Sequence, residues 1–226
     1  MPEKWPTGFA IHDRPGVPEA DVIAGFRGVP AANVSDAIGR ASGAVGLNAY
    51  GGNDVVCGPA LTVRVRPGDN LMIHKALDLI TPGDVVVIDG GGLLAQALIG
   101  GNIRLIMMQR GAVAVVVDGA IRDAAEFAAG GFPTLARGVN HRGPYKDGPG
   151  EINAPIACAG MAVSPGDLVI VDSDGAIAIP RLAARDVLAE VEKVNAKEQA
   201  SRAAIVANTV AIGRFDYILR EKGCPV

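Results

Sequence analysis

Residues 82–117 read PGDVVVIDGGGLLAQALIGGNIRLIMMQRGAVAVVV, and they indicate the fold class. The runs 85–88 and 113–117 are short, rich in β-branched residues and bounded by Gly, Asp or Pro, which is typical of buried strands. Between them, residues 102–110 mix apolar and charged side chains and end at Gly111, and glycine often follows the last residue of a helix. The stretch therefore predicts a strand–helix–strand unit in an α/β protein.

A related pattern occurs twice in the chain, as PGDVVVID at 82–89 and as PGDLVIVD at 165–172. Each copy predicts a turn followed by a buried strand that ends on an acid, because Pro, Gly and Asp favour turns on conformational grounds. We therefore interpret Asp84 and Asp167 as turn residues and keep Asp89 as a further site candidate.

The C-terminal part of the chain has a different pattern. Residues 183–212 contain no Pro or Gly, and Leu188, Val191 and Val194 keep roughly helical spacing. This predicts a long C-terminal helix with room for one break. Residues 138–150 are rich in Gly and Pro and are interpreted as a surface loop. We expect one domain over residues 1–226, with a core at about 30–180 and a helical segment at about 181–222.

Composition excludes several classes of protein. A net charge of -3 provides no basic surface for nucleic acid or anionic lipid. The three cysteines share no metal-ligand spacing, and their odd number disfavours a disulfide framework. The segment up to Arg14 lacks the pattern of a secretory signal, and no apolar run approaches the roughly 20 residues of a membrane span. We expect a cytoplasmic protein with no membrane or direct nucleic-acid partner.

The segment VVVDGAIRDAAE at 115–126 carries the chemistry, because a predicted strand and a glycine turn bring Arg122, Asp123 and Glu126 close together. Arginine offers a rigid fork that grips a carboxylate, while aspartate and glutamate offer the oxygen ligands that Mg²⁺ or Mn²⁺ accepts. The residues alone leave an alternative open. Arg122 and Asp123 could form an ordinary ion pair at a helix start, where Asp is favoured as a cap.

Two glycine clusters precede this segment, at 90–92 and 100–102. Their free backbone N–H groups could cradle an anion, or the glycines could simply form turns. The spacing matches neither the dinucleotide-binding fingerprint nor a phosphate loop.

Any proton transfer at this segment would need a base, and none of His12, His74 and His141 is near the segment in sequence. We therefore predict that a water on the metal, oriented by acids, serves as the base. His74 is interpreted as structural, or at most as a neighbour of the metal ligands. Lys75 could form a Schiff base or be an exposed residue with a buried stem.

Five stretches occur in an order that resembles the RraA-like family: VSDA at 34–37, GPALTV at 58–63, residues 82–89, the glycines at 100–101 and residues 118–123. That family includes 4-hydroxy-4-methyl-2-oxoglutarate/4-carboxy-4-hydroxy-2-oxoadipate aldolases and also proteins that bind and inhibit RNase E. The resemblance covers about residues 30–180. It implies a layered, swivelling β/β/α-type domain with a long C-terminal helix, assembled as a homotrimer or homohexamer with sites at subunit interfaces.

The family motif is a Gly or acidic residue, twenty residues, Arg-Asp, two residues, then Glu or Asp, and Gly101, Arg122, Asp123 and Glu126 match it. The resemblance implies that Asp123 and Glu126 hold Mg²⁺ or another divalent metal such as Mn²⁺. It also implies that Arg122 binds the substrate carboxylate and stabilises the pyruvate enolate, and that an acid from a neighbouring subunit, matched here by Glu198, approaches the metal.

The resemblance further implies a backbone cradle for the substrate, formed by Gly100, Gly101, Asn102 and Ile103. Many relatives carry an acid at position 101, so the chain departs from the family there. The implied reactions are cleavage of 4-hydroxy-2-oxo diacids to pyruvate and decarboxylation of oxaloacetate. The alternative is a protein without catalytic activity that inhibits a ribonuclease of the RNase E type.

Overall fold

The computed structural model describes residues 5–226. The expectations about the start of the chain depend partly on residues 1–4, which lie outside this range. No helix of the described part is long and apolar enough to cross a membrane. In chain order the elements are β1 (Phe9–Ile11), α1 (Ala20–Gly25), α2 (Ala31–Ala37), β2 (Asn48–Gly51), β3 (Val56–Val65), α3 (Leu71–Leu77), β4 (Val85–Asp89), β5 (Ala97–Ile99), α4 (Gly101–Gln109), β6 (Ala114–Ile121), α5 (Ala124–Ala129), β7 (Thr134–Val139), β8 (Gly150–Ile152), β9 (Ile156–Cys158), β10 (Met161–Val163), β11 (Leu168–Val171), β12 (Ala176–Ile179), α6 (Ala184–Val206) and α7 (Asp216–Glu221).

The main sheet has the strand order β1-β8-β3-β4-β6-β7-β2, and its centre, β3-β4-β6-β7, is parallel. All eight residues of β6 are buried, as expected for a parallel strand covered on both faces. The strands predicted at 85–88, 113–117 and Leu168–Val171 correspond to β4, β6 and β11, and the helix predicted at 102–110 corresponds to α4. The strand–helix–strand prediction is confirmed.

Three hydrophobic clusters define the layers of the fold. Helices α3, α4 and α5 cover one face of the main sheet, where Ile73, Met107 and Phe127 are fully buried. The opposite face packs against β9–β12, and the outer side of β11 and β12 packs against α1, α2 and α6 around Phe26 and Val191. The predicted mixed α/β domain with a C-terminal helix is therefore confirmed. A second layer of helices, beyond the β/β/α arrangement, completes it.

The repeated Pro-Gly-Asp pattern forms two similar turns, as predicted. Gly83 and Gly166 have φ values of 98° and 81°, in the left-handed region that favours glycine. The Asp84 and Asp167 carboxylates each accept the backbone N–H three residues earlier, at 2.8 Å. Both acids thus stabilise the turn that leads into a buried strand.

Asp84 has a second role, because it ties the N-terminal segment to the start of β4. The two terminal nitrogens of Arg14 donate to the two Asp84 carboxylate oxygens, each at 2.7 Å. The Asp84 side chain is only 2% exposed and that of Arg14 is 16% exposed. This is a bidentate pair largely removed from solvent.

The predicted C-terminal helix is broken once, as the sequence allowed: α6 ends at Val206 and α7 covers Asp216–Glu221, so the helix does not run unbroken to Ile212. Asn208 has a left-handed φ of 54°. The N–H groups of Asn208 and Thr209 return to the carbonyls of Ile205 and Ala204 at 3.0 and 2.9 Å. These two bonds form a Schellman motif with asparagine in place of the usual glycine, so the helix ends without a Gly or Pro.

The buried Asp69 side chain anchors the loop between β7 and β8. Its carboxylate accepts N–H groups from Asp147 at 2.7 Å, Gly148 at 3.0 Å and Leu71 at 2.9 Å. Burial acts to raise the pKa of Asp69, but the three backbone N–H groups and Arg66 outweigh it and hold the pKa below its usual value.

We expect Asp69→Asn to destabilise the protein at neutral pH, with a difference that shrinks on acidification. A carboxyl group whose folded-state pKa is lowered stabilises the protein above its unfolded-state pKa, about 4, and this contribution is lost as the pH falls through the folded-state pKa. Thermal melting of both proteins between pH 7 and pH 3 measures the effect. An exposed control, Asp54→Asn in the loop before β3, should melt within a degree or so of the unmodified protein at pH 7. A difference for Asp69→Asn that stays constant across the pH range would contradict the prediction.

Candidate active site

The candidate site begins at the carboxyl end of β6, where Asp123 connects the starts of two helices. Asp123 has a left-handed φ of 59° and stands at the N-cap position of α5, but its side chain does not cap that helix. Its Oδ2 instead accepts the N–H of Gly101, the first residue of α4, at 3.0 Å. A non-glycine residue in this conformation is uncommon and is often found at functional sites. The Asp123 side chain is therefore not the simple helix cap that the sequence had left as an alternative.

Arg122 lies beside this carboxylate without being neutralised by it. Its backbone N–H donates to the Ile99 carbonyl at 3.0 Å, which fixes the main chain. The Nε atom is 3.6 Å from Asp123 Oδ2, and the two side chains are 44% and 41% exposed. A long, half-exposed pair of this kind contributes little to stability. The guanidinium therefore keeps donors available for an anionic ligand.

Gly100 and Gly101 provide the space for two carboxylates. A β-carbon on Gly100 would lie 2.5 Å from Asp123 Oδ2, and a β-carbon on Gly101 would overlap the Glu126 carboxylate. The Glu126 side chain thus occupies the volume that a side chain at position 101 would fill. The acid expected at position 101 from the family resemblance is absent, but an acid from α5 reaches the same place.

The donor set fits a magnesium-type ion that is completed by a ligand. Asp123 and Glu126 supply two carboxylates beside the start of α4. Across residues 5–226, no group of three His, Cys, Asp or Glu side chains is arranged to hold a metal. Mg²⁺ commonly binds one or two carboxylates and fills its remaining positions with water and substrate oxygens. These residues therefore do not form a closed site in which the protein supplies every metal ligand.

The backbone cradle predicted at the start of α4 is partly engaged. Gly100 is the N-cap residue of α4, and the Gly101 N–H already donates to Asp123. Asn102 is exposed, and the side chain of Ile103 is buried in the core. The N–H groups of the first helical turn have no acceptor within their own helix. Those of Asn102 and Ile103 remain the donors that the predicted cradle would use.

His141 shares a cleft with Arg122 and Asp123, which the sequence reasoning missed. The cleft has a volume of about 240 Å³ and is also lined by Val139 and Asn140. His141 is distant from Arg122 in sequence but lies near it in the fold. Strand β7 is parallel to β6, so the two carboxyl ends, and the loops that follow them, meet at the same edge of the sheet. The sequence did not predict β7, because Arg137 and Gly138 interrupt its apolar pattern.

The cluster at 90–92 forms a turn whose amides are already engaged. Gly91 and Gly92 have φ values of 66° and 71°, and their N–H groups donate to the Asp89 side chain and the Asp118 carbonyl. Asp89 is paired in register with Asp118 on the next strand. Burial raises the pKa of Asp89, and the Asp118 carboxylate adds to this. Asp89 does not line the cleft of Arg122.

His74 and Lys75 lie on the exposed side of α3, and neither lines the cleft. The Lys75 ammonium is 3.2 Å from the Asp78 carboxylate, and both side chains are about half exposed. The surface interpretation of Lys75 thus matches the structure. A lysine within a pocket, as a Schiff-base aldolase requires, is not found at this position.

Glu198 lies on α6, in the outer helical layer. Its carboxylate accepts from Asn33 Nδ2 at 2.7 Å and from Arg202 Nη2 at 2.6 Å, and the Arg202 guanidinium lowers the pKa of Glu198. The cleft of Arg122 is not lined by this residue of the same chain. The predicted approach of Glu198 from a neighbouring subunit stays a prediction.

Comparisons with known proteins identify the family of the chain. The family model described as "RraA-like: Aldolase/RraA" matches residues 31–178. A Halalkalibacterium halodurans protein, whose name proposes 4-hydroxy-4-methyl-2-oxoglutarate aldolase activity, is 40% identical over 198 residues, which cover 87% of this chain and 94% of that protein. The 4-hydroxy-4-methyl-2-oxoglutarate aldolase of Thermus thermophilus is 35% identical over 134 residues, covering 59% and 81%. The structure of Streptomyces coelicolor RraAS2, described as an unusual member of the RNase ES inhibitor RraA family, has a TM-score of 0.75 at 26% identity, covering 82% and 98%.

Proposed function

The chain belongs to the RraA-like family, and from this premise we propose that it is a divalent-metal-dependent carbon–carbon lyase acting on small 2-oxo acids. The proposed main reaction is cleavage of 4-hydroxy-2-oxo diacids, of the 4-hydroxy-4-methyl-2-oxoglutarate type, to pyruvate. Oxaloacetate decarboxylation is proposed as a second reaction of the same site. The observation that carries the proposal is the open cleft in which the Arg122 guanidinium adjoins the Asp123 carboxylate, with the Glu126 carboxylate beside Gly101 at the start of α4.

Arg122 would bind the substrate and stabilise the negative charge that develops on it during the reaction. In both reactions the bond beyond C3 breaks, and its electron pair moves toward the 2-oxo oxygen to give the enolate of pyruvate. A guanidinium positioned at that oxygen stabilises the developing charge, and the N–H groups at the start of α4 would hold the adjacent carboxylate. Arg122 is suited to this because its only ion pair in the described part of the chain is long.

Asp123 and Glu126 would hold Mg²⁺ or Mn²⁺ beside the substrate. When bound, such a cation supplies Lewis-acid stabilisation of negative charge on the substrate oxygens. The Gly101 N–H orients the Asp123 carboxylate, and the absence of a side chain at Gly101 makes room for that of Glu126.

In aldol cleavage the 4-hydroxyl loses its proton as the C3–C4 bond breaks, and C3 takes up a proton before pyruvate leaves. We propose that a water molecule in the cleft, oriented by the nearby acids, carries these protons, since the cleft is lined by Asp123 and is open to solvent.

The proposal includes a homotrimer or homohexamer in which Glu198 of a neighbouring subunit completes the site. Exposed apolar side chains at the C-terminal end, including Ile205, Val206, Ile212 and Phe215, support burial of this region in an assembly. Activity and molecular mass measured together during dilution test it. Dissociation to protomers should abolish activity, and a fully active protomer would contradict the shared site.

Metal removal gives the primary test of the proposed function. We expect EDTA-treated protein to release no pyruvate from oxaloacetate or from 4-hydroxy-4-methyl-2-oxoglutarate, and Mg²⁺ or Mn²⁺ to restore the reaction. Asp123→Asn should weaken metal binding and lower kcat/KM by about 100-fold, because it removes a charged ligand. Asp186→Asn, at an exposed acid of α6, should leave activity intact. If metal-free and metal-loaded protein are equally inert on both substrates, the proposal fails.

A second function is supported by the likeness to RraAS2 over 82% of the chain. The same fold could bind a ribonuclease of the RNase E type without catalysis. A pull-down with the purified ribonuclease tests this. Binding that persists in Arg122→Ala would show that the working surface is separate from the candidate active site.

A further inference from the structure

The cleft has a second wall, which the proposed reaction does not yet use. This wall follows β7 and includes His141 opposite Arg122 and Asp123. We propose that His141 binds the remote carboxylate of the substrate, the one attached at C4, and thereby selects 2-oxo diacids over 2-oxo monoacids. The inference rests on the proposed function, because it assigns a residue to substrate selection in the same site.

The backbone on both sides of His141 is held in place. The Asn140 N–H donates to Ile121 O at 2.9 Å, and its Nδ2 donates to Leu94 O at 2.7 Å. Arg142 N–H donates to Asn140 Oδ1 at 2.9 Å, and the Arg142 carbonyl accepts from the N–H of Ala97 at 2.9 Å. His141 therefore sits between two anchored residues, which lowers the entropy cost of using it for binding.

The wall is close enough to Arg122 for one small substrate to reach both. A β-carbon on Gly143 would lie 3.3 Å from Arg122 Nη1, so the segment packs directly against the guanidinium. A substrate whose 2-oxo oxygen lies at Arg122, with its first carboxylate at the start of α4, would extend its other end toward His141. An imidazole N–H donates to a carboxylate, and the bond is stronger when the ring is protonated.

The charge of the wall favours an anion. Residues 137–146 contain Arg137, His141, Arg142 and Lys146 and no acid before Asp147, and of these residues His141 lines the cleft together with Val139 and Asn140. The charge of Arg137 is already paired with Asp118, whereas His141 and Arg142 are exposed. A substrate with two negative charges is therefore drawn to this side of the cleft more strongly than a monoacid.

Comparing the binding of 2-oxoglutarate and pyruvate tests whether His141 recognises the remote carboxylate. 2-Oxoglutarate carries both carboxylates but lacks the 4-hydroxyl group of the aldol substrate, and pyruvate lacks the remote carboxylate. With Mg²⁺ present, we expect His141→Ala to raise the Kd of 2-oxoglutarate by about 10-fold and that of pyruvate by less than about twofold, measured by calorimetry. His141→Lys, which supplies a hydrogen-bond donor at the same position, should recover part of the preference. His12→Gln, at an exposed histidine outside the cleft, is the control.

The inference is overturned if His141→Ala changes the Kd of both ligands equally or changes neither Kd. If both Kd values are unchanged and hydrogen exchange at C3 of pyruvate in heavy water becomes slower, His141 is a proton-transfer group instead. If the unmodified protein binds neither ligand with metal present, the proposed function itself fails, and this outcome is distinct because it appears without any substitution.

Discussion

Replacing Arg122 with alanine is expected to lower kcat/KM for pyruvate release by about 10²- to 10³-fold, the usual cost of removing one donor at a developing oxyanion. The change should appear in kcat as well as in KM, because the guanidinium would contact the 2-oxo oxygen most strongly when that oxygen becomes negative. Steady-state kinetics with saturating Mg²⁺ measure both parameters. Folding should be unaffected, since the Arg122–Asp123 pair is long and half exposed.

Arg110→Ala provides the matched control. Arg110 is also half exposed, and its guanidinium is 3.9 Å from Asp78, a contact of similar length to that of Arg122. We expect this variant to keep activity within about twofold, because a surface pair of this length contributes little. Equal losses in the two variants would indicate a general effect of charge and would count against a specific role of Arg122.

Removing Arg14 is expected to lower the free energy of unfolding by about 3 kcal/mol, because it leaves the buried Asp84 carboxylate without its partner. Both oxygens of Asp84 are engaged by Arg14 at 2.7 Å, so no nearby group replaces the lost charge. Urea denaturation of Arg14→Ala at pH 7 and fixed protein concentration measures the loss. The fixed concentration matters if the protein is oligomeric.

The control is Arg185→Ala, which breaks a pair of the same type on the surface. Arg185 lies 3.0 Å from Asp21, with side chains 58% and 68% exposed. Exposed pairs contribute at most about 1 kcal/mol, so the midpoint should move little. A loss in Arg14→Ala as small as that of Arg185→Ala would show that the N-terminal segment is not held by this pair.

The parts of the fold that could be predicted were those with a strong local pattern. Strands β4, β11 and the first half of β6 are continuous apolar runs because both of their faces are buried, and α4 is followed by Gly111 in a left-handed conformation. Strand β7 was missed because Arg137 and Gly138 interrupt its apolar pattern, and β9 and β10 have three residues each. The end of α6 was missed because its stop signal is an asparagine in a left-handed conformation.

The candidate site was predicted to the extent that it lies in one segment of chain. Arg122, Asp123 and Glu126 come together because a strand, a turn and one helical turn join them. His141 could not be found in the same way, since its position depends on the pairing of β6 with β7. The Glu198 placement depends on a second subunit, which sequence spacing cannot position.

The relation between Gly101 and Glu126 has a consequence for protein engineering. A β-carbon at position 101 would meet the tip of the Glu126 side chain, and the far end of a flexible side chain can move aside. A side chain introduced at position 101 would therefore displace the Glu126 carboxylate from its place beside the start of α4, whereas Gly101→Asp combined with Glu126→Ala would move the acid from α5 to α4. Libraries that vary the two positions together will show from which helix the acid can act.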